Sequence, residues 1–255
     1  MSATLAPAPR WTECTALFGG TFDPPHLGHR EAVRGLFTLP AVAAVRILPA
    51  AIPPQKRAFS ESAHRVAMTR LAFSATLQNR FPPEVTIDTC EIDRAARTGQ
   101  PSYAYDTVMA LKKDFPRLAF VIGADQLERL PTWYRFTDLL ESCHWIVLER
   151  KPNGMASAQA SIKEWKASGL IHASQTGINQ FGLNGRAEEG VFRLRGAKSF
   201  LKVVPTEARA LSSSEIRRQL ALTGQAAPDQ MLPEVEAYLM QNQLYGSASA
   251  LVTQN

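Results

Sequence analysis

The stretch that decides the fold is Gly19-Gly20-Thr21-Phe22-Asp23-Pro24-Pro25-His26-Leu27-Gly28-His29. It follows a short apolar run at 15–18 and leads into a helical pattern at 27–37. A strand that passes into a helix through a glycine pair is typical of a parallel β-α-β unit. Glycines at such a point also let backbone amides approach a phosphate closely, because no side chain obstructs them.

Apolar runs and helical patterns continue to alternate beyond this stretch. Further strands are predicted at 42–48, 85–88, 118–122, 145–148 and 200–204. Helices are predicted from a Ser60 cap to before Asn79, at 103–114, at 136–141, from Ser212 onward and at 228–241. The alternation predicts an α/β fold, a Rossmann-like doubly wound parallel sheet of about five to six strands with C-terminal helices.

The expected organisation is a single domain over 15–245, with tails at 1–14 and 246–255. Within that domain, 151–195 shifts toward Ser, Gln, Asn and Gly, and it is interpreted as an irregular insertion with a short helix at 158–166. Its exit, Arg193-Leu194-Arg195, alternates like a strand with one exposed face.

Composition narrows the class of protein. The 255 residues include 45% apolar and 20% charged side chains, which is ordinary for a globular protein. The net charge of +5 is too small and too evenly spread to indicate a polynucleotide partner, and a small anion suits it better. The sequence shows neither a secretory signal nor an apolar run that could span a membrane. Three widely spaced cysteines form no disulfide or metal pattern, so we expect a reducing cytoplasm.

His26 and His29 lie three residues apart in a first helical turn, which directs both imidazoles along one face. That face is a helix N-terminus, where unpaired amides and the helix dipole favour an anion. Two imidazoles there can donate hydrogen bonds to phosphate oxygens. Two histidines can also bind zinc, but no Cys or Glu with suitable spacing joins them. A pair of plain surface histidines is the third interpretation.

Four other segments have a functional and a structural interpretation. Ser212 and Glu215 have the spacing of a capping box, and the helix that they start could receive a second phosphate group. Lys56 follows a proline-rich loop, from which it can reach a phosphate or simply be solvated. Asp125 follows a strand end, where it can bind ribose hydroxyls or cap a helix. Trp133 can stack on a flat ring or hold its loop to the core.

The opening stretch resembles the signature of the H-x-G-H nucleotidyltransferase superfamily. Five more segments, in the same order, look like those of the bacterial nicotinate-nucleotide adenylyltransferases, and the likeness spans about 16–245 outside the insertion. These segments are Ile52-Pro53-Pro54-Gln55-Lys56, Pro101-Ser102-Tyr103, Phe120-Val121-Ile122-Gly123-Ala124-Asp125, Pro131-Thr132-Trp133-Tyr134 and Leu211-Ser212-Ser213-Ser214-Glu215-Ile216-Arg217.

The resemblance implies a role for each matching residue. It implies that the catalytic groups are His26, His29, Lys56 and Arg217. It implies ATP binding by Gly19, Gly20, Thr21, Phe22, His29, Gly123, Asp125, Ser213, Ser214 and Arg217. It implies acceptor binding by Ala104, Trp133 and Tyr134, with Trp133 stacked on the pyridine ring. The chain departs from the family at Gln55, usually His, and at Ala104, often Thr.

The implied reaction is adenylyl transfer from ATP to nicotinate mononucleotide, with release of pyrophosphate, in NAD biosynthesis. Mg²⁺ is expected with ATP, held mainly by substrate and water, and Asp23 is the nearest carboxylate that could bind it or could instead hold the glycine turn. The expected partners are the two substrates, without nucleic acid or membrane, and a homo-oligomer is left open. The alternatives are adenylyl transfer to nicotinamide mononucleotide or pantetheine phosphate, and a nucleotide-sensing module without turnover.

Overall fold

The computed structural model describes residues 14–54, 58–77, 83–151, 154–173, 190–196 and 199–246. The strands are Cys14–Gly20 (β1), Val42–Pro49 (β2), Glu84–Ile87 (β3), Leu118–Gly123 (β4), His144–Lys151 (β5), Ile171–Ala173 (β6), Val191–Leu194 (β7) and Phe200–Arg209 (β8). The helices are Leu27–Leu36 (α1), Ser62–Ala72 (α2), Ser74–Leu77 (α3), Cys90–Thr98 (α4), Ala104–Leu111 (α5), Phe136–Ser142 (α6), Gly154–Ala167 (α7), Ser213–Thr223 (α8) and Pro233–Gln241 (α9). Short 3₁₀ turns lie at Ala124–Gln126, Leu130–Thr132 and Leu244–Gly246.

The described strands form one sheet in the order β3-β2-β1-β4-β5-β8-β7-β6. From β1 the chain moves outward to β3 and then returns to the other side of β1 with β4. All pairings from β3 to β8 are parallel. The order therefore reverses between β1 and β4, and ligands of open α/β sheets bind beyond the carboxyl ends of strands at such a point.

Each face of the sheet is covered by its own hydrophobic cluster. Ala16 and Phe18 of β1 pack into one cluster, together with buried residues of α1, α2, α8 and α9. Leu17, between them, points to the opposite face, into a second cluster with α5, α6 and α7. Since successive side chains of a strand point to opposite faces, both sides of β1 must be apolar. The predicted doubly wound α/β architecture is thus confirmed.

The insertion at 151–195 is more regular than expected. Its helix, α7, has 14 residues instead of the nine predicted at 158–166. The strands β6 and β7 pair antiparallel with each other and extend the sheet beyond β8. The prediction of five to six strands was therefore too low, since the described sheet has eight. Of the strand-like pattern at 193–195, Arg193 and Leu194 belong to β7, and Arg195 lies just beyond its end.

Two predicted helix caps were wrong. The helix expected to begin at Ser60 begins at Ser62 instead, with Glu61 in the capping position. The Ser60 hydroxyl donates to Asp23 at 2.6 Å, so it binds a residue distant in the sequence instead of capping the helix. Ser212 does precede α8, but its side chain makes no capping hydrogen bond. Glu215 pairs with Arg218 one turn further along, and the predicted capping box is absent.

Gly28 lets α1 lie directly against the end of β8. A Cβ atom at this position would approach the backbone carbonyl oxygen of Arg209 to 2.6 Å. The two elements are also joined by the Arg209 guanidinium, which pairs with Glu31 at 2.7 Å. The backbone oxygen cannot move without shifting the strand, so position 28 requires glycine for packing alone.

We expect Gly28→Ala to lower the free energy of unfolding by about 1–2 kcal/mol, because the strain of overpacking exceeds the gain in helix propensity. Urea unfolding followed by circular dichroism measures the difference. Arg34→Ala, at an exposed position of the same helix, is the control and should change stability by less than about 0.5 kcal/mol. A Gly28→Ala protein as stable as the wild type would contradict this account.

Among the described helices, none has the length and the apolar surface that a membrane span requires.

Candidate active site

The glycine pair ends β1 and is followed by a sharp change of direction. Phe22 has a left-handed backbone, with φ at 51°, and its ring is buried at 1% exposure. A Cβ atom on Gly20 would lie 2.8 Å from that ring, so the turn requires glycine there. Phe22 was expected to contact ATP, but its ring belongs to the core. Any contact of Phe22 with a nucleotide is therefore made by its backbone.

His26 and His29 are stacked on each other at the start of α1. Their ring centroids lie 3.7 Å apart, with an angle of 23° between the planes. The Phe22 ring contacts His29 edge-on at 5.0 Å and supports the stack from the core side. His26 is 2% exposed, so it is no ordinary surface histidine. The spacing had indicated that both rings share one face, and the stacking places them together.

The two histidines also cap the helix for each other. The His29 amide donates to Nδ1 of His26 at 3.3 Å, and the His26 amide donates to Nδ1 of His29 at 3.2 Å. A backbone N–H can only donate, so both Nδ1 atoms are acceptors and carry no proton. The N–H of each ring is then the one on Nε2. The pair thus has two N–H donors fixed in orientation beside the positive end of a helix.

Asp23 joins the glycine turn to three other segments. Its carboxylate, 2% exposed, accepts from the amide of Phe59 at 2.6 Å, the hydroxyl of Ser60 at 2.6 Å and the hydroxyl of Tyr245 at 2.5 Å. Its backbone carbonyl accepts from Arg217 at 2.5 Å. This carboxylate was considered either as a Mg²⁺ ligand or as the group that holds the glycine turn. The contacts support holding the turn, because protein donors already surround both oxygens.

Arg65 is a buried cation directly behind the turn, and the sequence analysis did not select it. The residue is 1% exposed. Its guanidinium donates to four backbone carbonyls in the segments that flank the site, namely those of Thr21 at 3.1 Å, Ala51 at 2.8 Å, Ser60 at 3.2 Å and Ala50. Burial lowers the pKa of this guanidinium, while the charge of Asp23 raises it.

The start of α8 lies against the same turn. The Ser213 hydroxyl donates to the carbonyl of Pro24 at 2.9 Å. Arg217, in addition to its bond with Asp23, contacts the Ser214 hydroxyl at 3.1 Å and lies 4.0 Å from the centre of the Phe59 ring. The N-termini of α1 and α8 therefore converge beside 23–24. That convergence is what the phosphate-binding prediction for Ser213, Ser214 and Arg217 requires.

Position 125, at the end of β4, has an acidic side chain with a protein partner. The Asp125 carboxylate pairs with Arg150 at 2.5 Å, and it does not cap the 3₁₀ turn that follows. A Cβ atom on Gly123 would lie 2.5 Å from this carboxylate, so the glycine makes room for it. The capping alternative was wrong. Ribose binding by Asp125 stays a prediction, with Arg150 added as its neighbour.

The residues predicted to bind the acceptor substrate lie in the segments just before and just after β4 in the sequence. Trp133 is half-buried, and its ring contacts Phe120 edge-on at 6.0 Å. Its indole Nε1 is buried without a hydrogen-bond partner in the described part of the chain. Tyr134 is 49% exposed and packs on Tyr103 with the ring centroids 4.5 Å apart. Trp133 thus holds its loop to the core, and stacking on a ligand ring stays a prediction.

A buried polar network supports the entry into α5, where Ala104 is the first residue. The Ser102 hydroxyl accepts from the amide of Ala51 at 3.0 Å and donates to Glu91, while the Ser102 amide donates to the carbonyl of Ile52 at 2.9 Å. Burial raises the pKa of Glu91, and hydrogen bonds from Thr107 and Ser102 lower it. These hydrogen bonds therefore fix the loop after β2 to the start of α5, where the acceptor substrate is predicted to bind.

Lys56 and Gln55 lie outside the described residues. The catalytic role of Lys56 stays a prediction.

The comparisons with known proteins agree with this geometry. Residues 17–219 match the Cytidylyltransferase-like family. Nicotinate-nucleotide adenylyltransferase from Salmonella typhimurium strain LT2 is 31% identical over 234 residues, which cover 90% of this chain and 97% of the relative. The Bacillus subtilis strain 168 enzyme of the same name is 36% identical over 138 residues, 52% of this chain and 68% of the relative. The chain belongs to the nicotinate-nucleotide adenylyltransferase family.

A solved structure supports the fold independently. The Plasmodium falciparum nicotinic acid mononucleotide adenylyltransferase, complexed with APC, superposes with a TM-score of 0.62. At 16% sequence identity it covers 92% of this chain and 98% of its own. At this identity the superposition establishes the α/β fold of the adenylyltransferase family and nothing finer.

Sequence reasoning missed two groups in this family member, Arg65 and Tyr245. A weak signal existed for Arg65, because it occupies a position at helical spacing with inward-facing Met68 and Thr69. Tyr245 lies next to the expected tail and offered no signal. Both bind backbone or carboxylate groups that are distant in the sequence.

We expect Arg65→Met to lower the free energy of unfolding by about 3 kcal/mol or more, because it leaves several buried carbonyls without donors. Urea unfolding measures the loss. Arg70→Met is the matched control, an exposed arginine on the same helix, and it should change stability by less than about 0.5 kcal/mol. Similar losses in the two variants would refute the role assigned to Arg65.

Proposed function

We propose that this chain transfers the adenylyl group of ATP to nicotinate mononucleotide, giving nicotinate adenine dinucleotide and pyrophosphate. The observation that carries the proposal is the stacked, mutually capped pair His26 and His29 at the end of β1. The family supplies the acceptor, since its relatives bear the name nicotinate-nucleotide adenylyltransferase. The Plasmodium falciparum nicotinic acid mononucleotide adenylyltransferase, which shares the fold, has also been solved in complex with NaAD.

The chemical step is an in-line displacement at the α-phosphorus of ATP. An oxygen of the acceptor phosphate forms the new P–O bond, and the bond to the α,β-bridging oxygen breaks. Pyrophosphate leaves with the bonding electron pair. Such transfers depend on positioning and on neutralising charge, so no covalent nucleophile is needed.

The described residues are suited to that demand. Nε2–H of each histidine donates to phosphate oxygens as negative charge grows on them. The amides at the start of α1 and the positive end of its dipole act on the same oxygens. The N-terminus of α8, with Ser214 and Arg217, serves the β- and γ-phosphates. All of these donors are held in place before substrate arrives, which is the main source of electrostatic stabilisation in enzymes.

Magnesium enters, in this proposal, as part of the ATP complex. Asp23, the nearest carboxylate, is occupied by protein donors. The described residues include no cluster of three or more His, Cys, Asp or Glu that fits a metal ion. The phosphates and water would therefore hold the ion, as Mg²⁺ prefers. When bound, it neutralises charge on the leaving pyrophosphate.

We assign the reaction to the cytoplasm. Cys14, Cys90 and Cys143 are free thiols, and burial raises the pKa of each to about 12. Free thiols without a disulfide among these three cysteines suit a reducing compartment.

Pyrophosphate release separates the candidate activities. With ATP and Mg²⁺, we expect turnover with nicotinate mononucleotide at a kcat/KM at least about tenfold above that with nicotinamide mononucleotide, a difference of ~1.4 kcal/mol in transition-state binding. Pantetheine phosphate should give none. A coupled pyrophosphatase assay follows each acceptor. Preference for either alternative acceptor would replace the proposed substrate, and ATP binding without turnover on any acceptor would favour the sensing module.

His29→Ala should lower kcat by roughly 100-fold or more while changing the KM for ATP much less, because the lost donor acts mainly on the transition state. Steady-state kinetics with ATP and nicotinate mononucleotide measure both constants. His29→Asn, which keeps a side-chain acceptor for the His26 amide, separates loss of the cap from loss of the Nε2 donor. His172→Ala, an exposed histidine of β6, is the control and should retain activity. An unchanged kcat in His29→Ala would exclude the proposed role.

A further inference from the structure

Tyr245 lies in the last described turn of the chain, Leu244–Gly246, and is distant from β1 in the sequence. Its backbone is left-handed, with φ at 60° and ψ at 24°. A bulky residue adopts this strained conformation only where its surroundings demand it. Gln243, two residues earlier, is also left-handed, with φ at 52°. The backbone thus bends in a way that directs the tyrosine ring inward.

The hydroxyl of Tyr245 reaches the turn that precedes α1. It donates to Oδ1 of Asp23 at 2.5 Å and lies 3.1 Å from the Ser60 hydroxyl. Burial raises the pKa of Tyr245, and the hydrogen bond to Asp23 raises it further. The phenol therefore stays protonated and remains a donor throughout the physiological pH range.

Asp23 connects this hydroxyl to a phosphate-site residue. Its carbonyl accepts a hydrogen bond from Arg217, and His26 follows three residues later in the sequence. Oδ1 receives only hydroxyl donors, from Ser60 and Tyr245, among the described residues. If one is removed, a buried carboxylate loses a charge-assisted hydrogen bond and must reorient to recover it. Because the carboxylate and the carbonyl that holds Arg217 belong to one residue, we expect a displacement of Asp23 to move that carbonyl as well.

We propose that Tyr245 is a positioning residue for the phosphate site, acting through Asp23 to fix Arg217 and the turn before His26. This inference rests on the proposed adenylyl transfer for its kinetic test, but its structural test does not depend on it. No contact of Tyr245 with substrate is involved. The C-terminal turn, joined to Asp23 across 222 residues, thereby becomes part of the support of the catalytic turn.

The first test is Tyr245→Phe, which removes one oxygen atom and keeps the ring. We expect kcat to fall roughly 10- to 100-fold, because a small misplacement of charged groups is costly in the transition state. The KM for ATP should change by less than about threefold. Ser60→Ala, which removes the other donor to Oδ1, should shift kcat in the same direction and serves if Tyr245→Phe does not fold.

Tyr238→Phe is the matched control. It removes a hydroxyl from α9 that contacts His64 at 3.0 Å and lies in the same C-terminal region. We expect its kcat to stay within about twofold of the wild type, because its partner lies outside the site. The proposal is overturned if the fold-decrease in kcat for Tyr245→Phe is less than five times the fold-decrease for Tyr238→Phe. If kcat and the KM for ATP change equally, the role is not one of positioning.

Hydrogen exchange of the amides at 21–26, followed by mass spectrometry, is the second test. Tyr245→Phe should exchange faster than the wild type there, and Tyr238→Phe should not. Equal exchange in the two variants would overturn the proposal. If the wild type releases no pyrophosphate with any acceptor, the proposed function fails, and the exchange result alone decides the role of Tyr245.

Discussion

Two opposite charges are buried behind the glycine turn, one on Asp23 and one on Arg65, at 2% and 1% exposure. Neither can be left without partners, because an unpaired charge in the interior costs several kcal/mol. Each has partners in loops that the sheet does not hold. Asp23 accepts hydrogen bonds from residues 59, 60 and 245. Arg65 donates hydrogen bonds to the backbone carbonyls of residues 21, 50, 51 and 60. The loops can therefore satisfy both charges only in one arrangement, and that arrangement positions the site.

The same constraint couples the two helix ends that face the site. Arg217 and Ser213 of α8 bind the carbonyls of Asp23 and Pro24, and α1 begins three residues further on. The donors assigned to the nucleotide phosphates thus cannot move independently. A rigid, shared support reduces the reorganisation that growing charge would otherwise require, which is where electrostatic catalysis gains most. The price is that a change far from the site, as at the C-terminal turn, is transmitted to it.

Local patterns were sufficient to predict the parallel core of the fold and the position of the histidine pair. They failed where a side chain has a distant partner. Ser60 looks like a helix cap, but its hydroxyl binds Asp23, 37 residues away. Arg65 looks like any helical arginine, and its carbonyl partner on Thr21 is 44 residues away. The strand β6 has three residues, too few for a periodicity to stand out within a polar insertion.

The histidine pair shows how one motif can satisfy both folding and chemistry. An aspartate at position 26 would cap α1 equally well, but an ionised carboxylate has no N–H or O–H to donate to a phosphate. Imidazole has two nitrogens on opposite sides of the ring. Nδ1 accepts from the amide of the other histidine, which fixes the tautomer with the proton on Nε2. The cap therefore sets both the direction and the protonation of the groups that would meet the phosphates, and other capping residues cannot replace this pair.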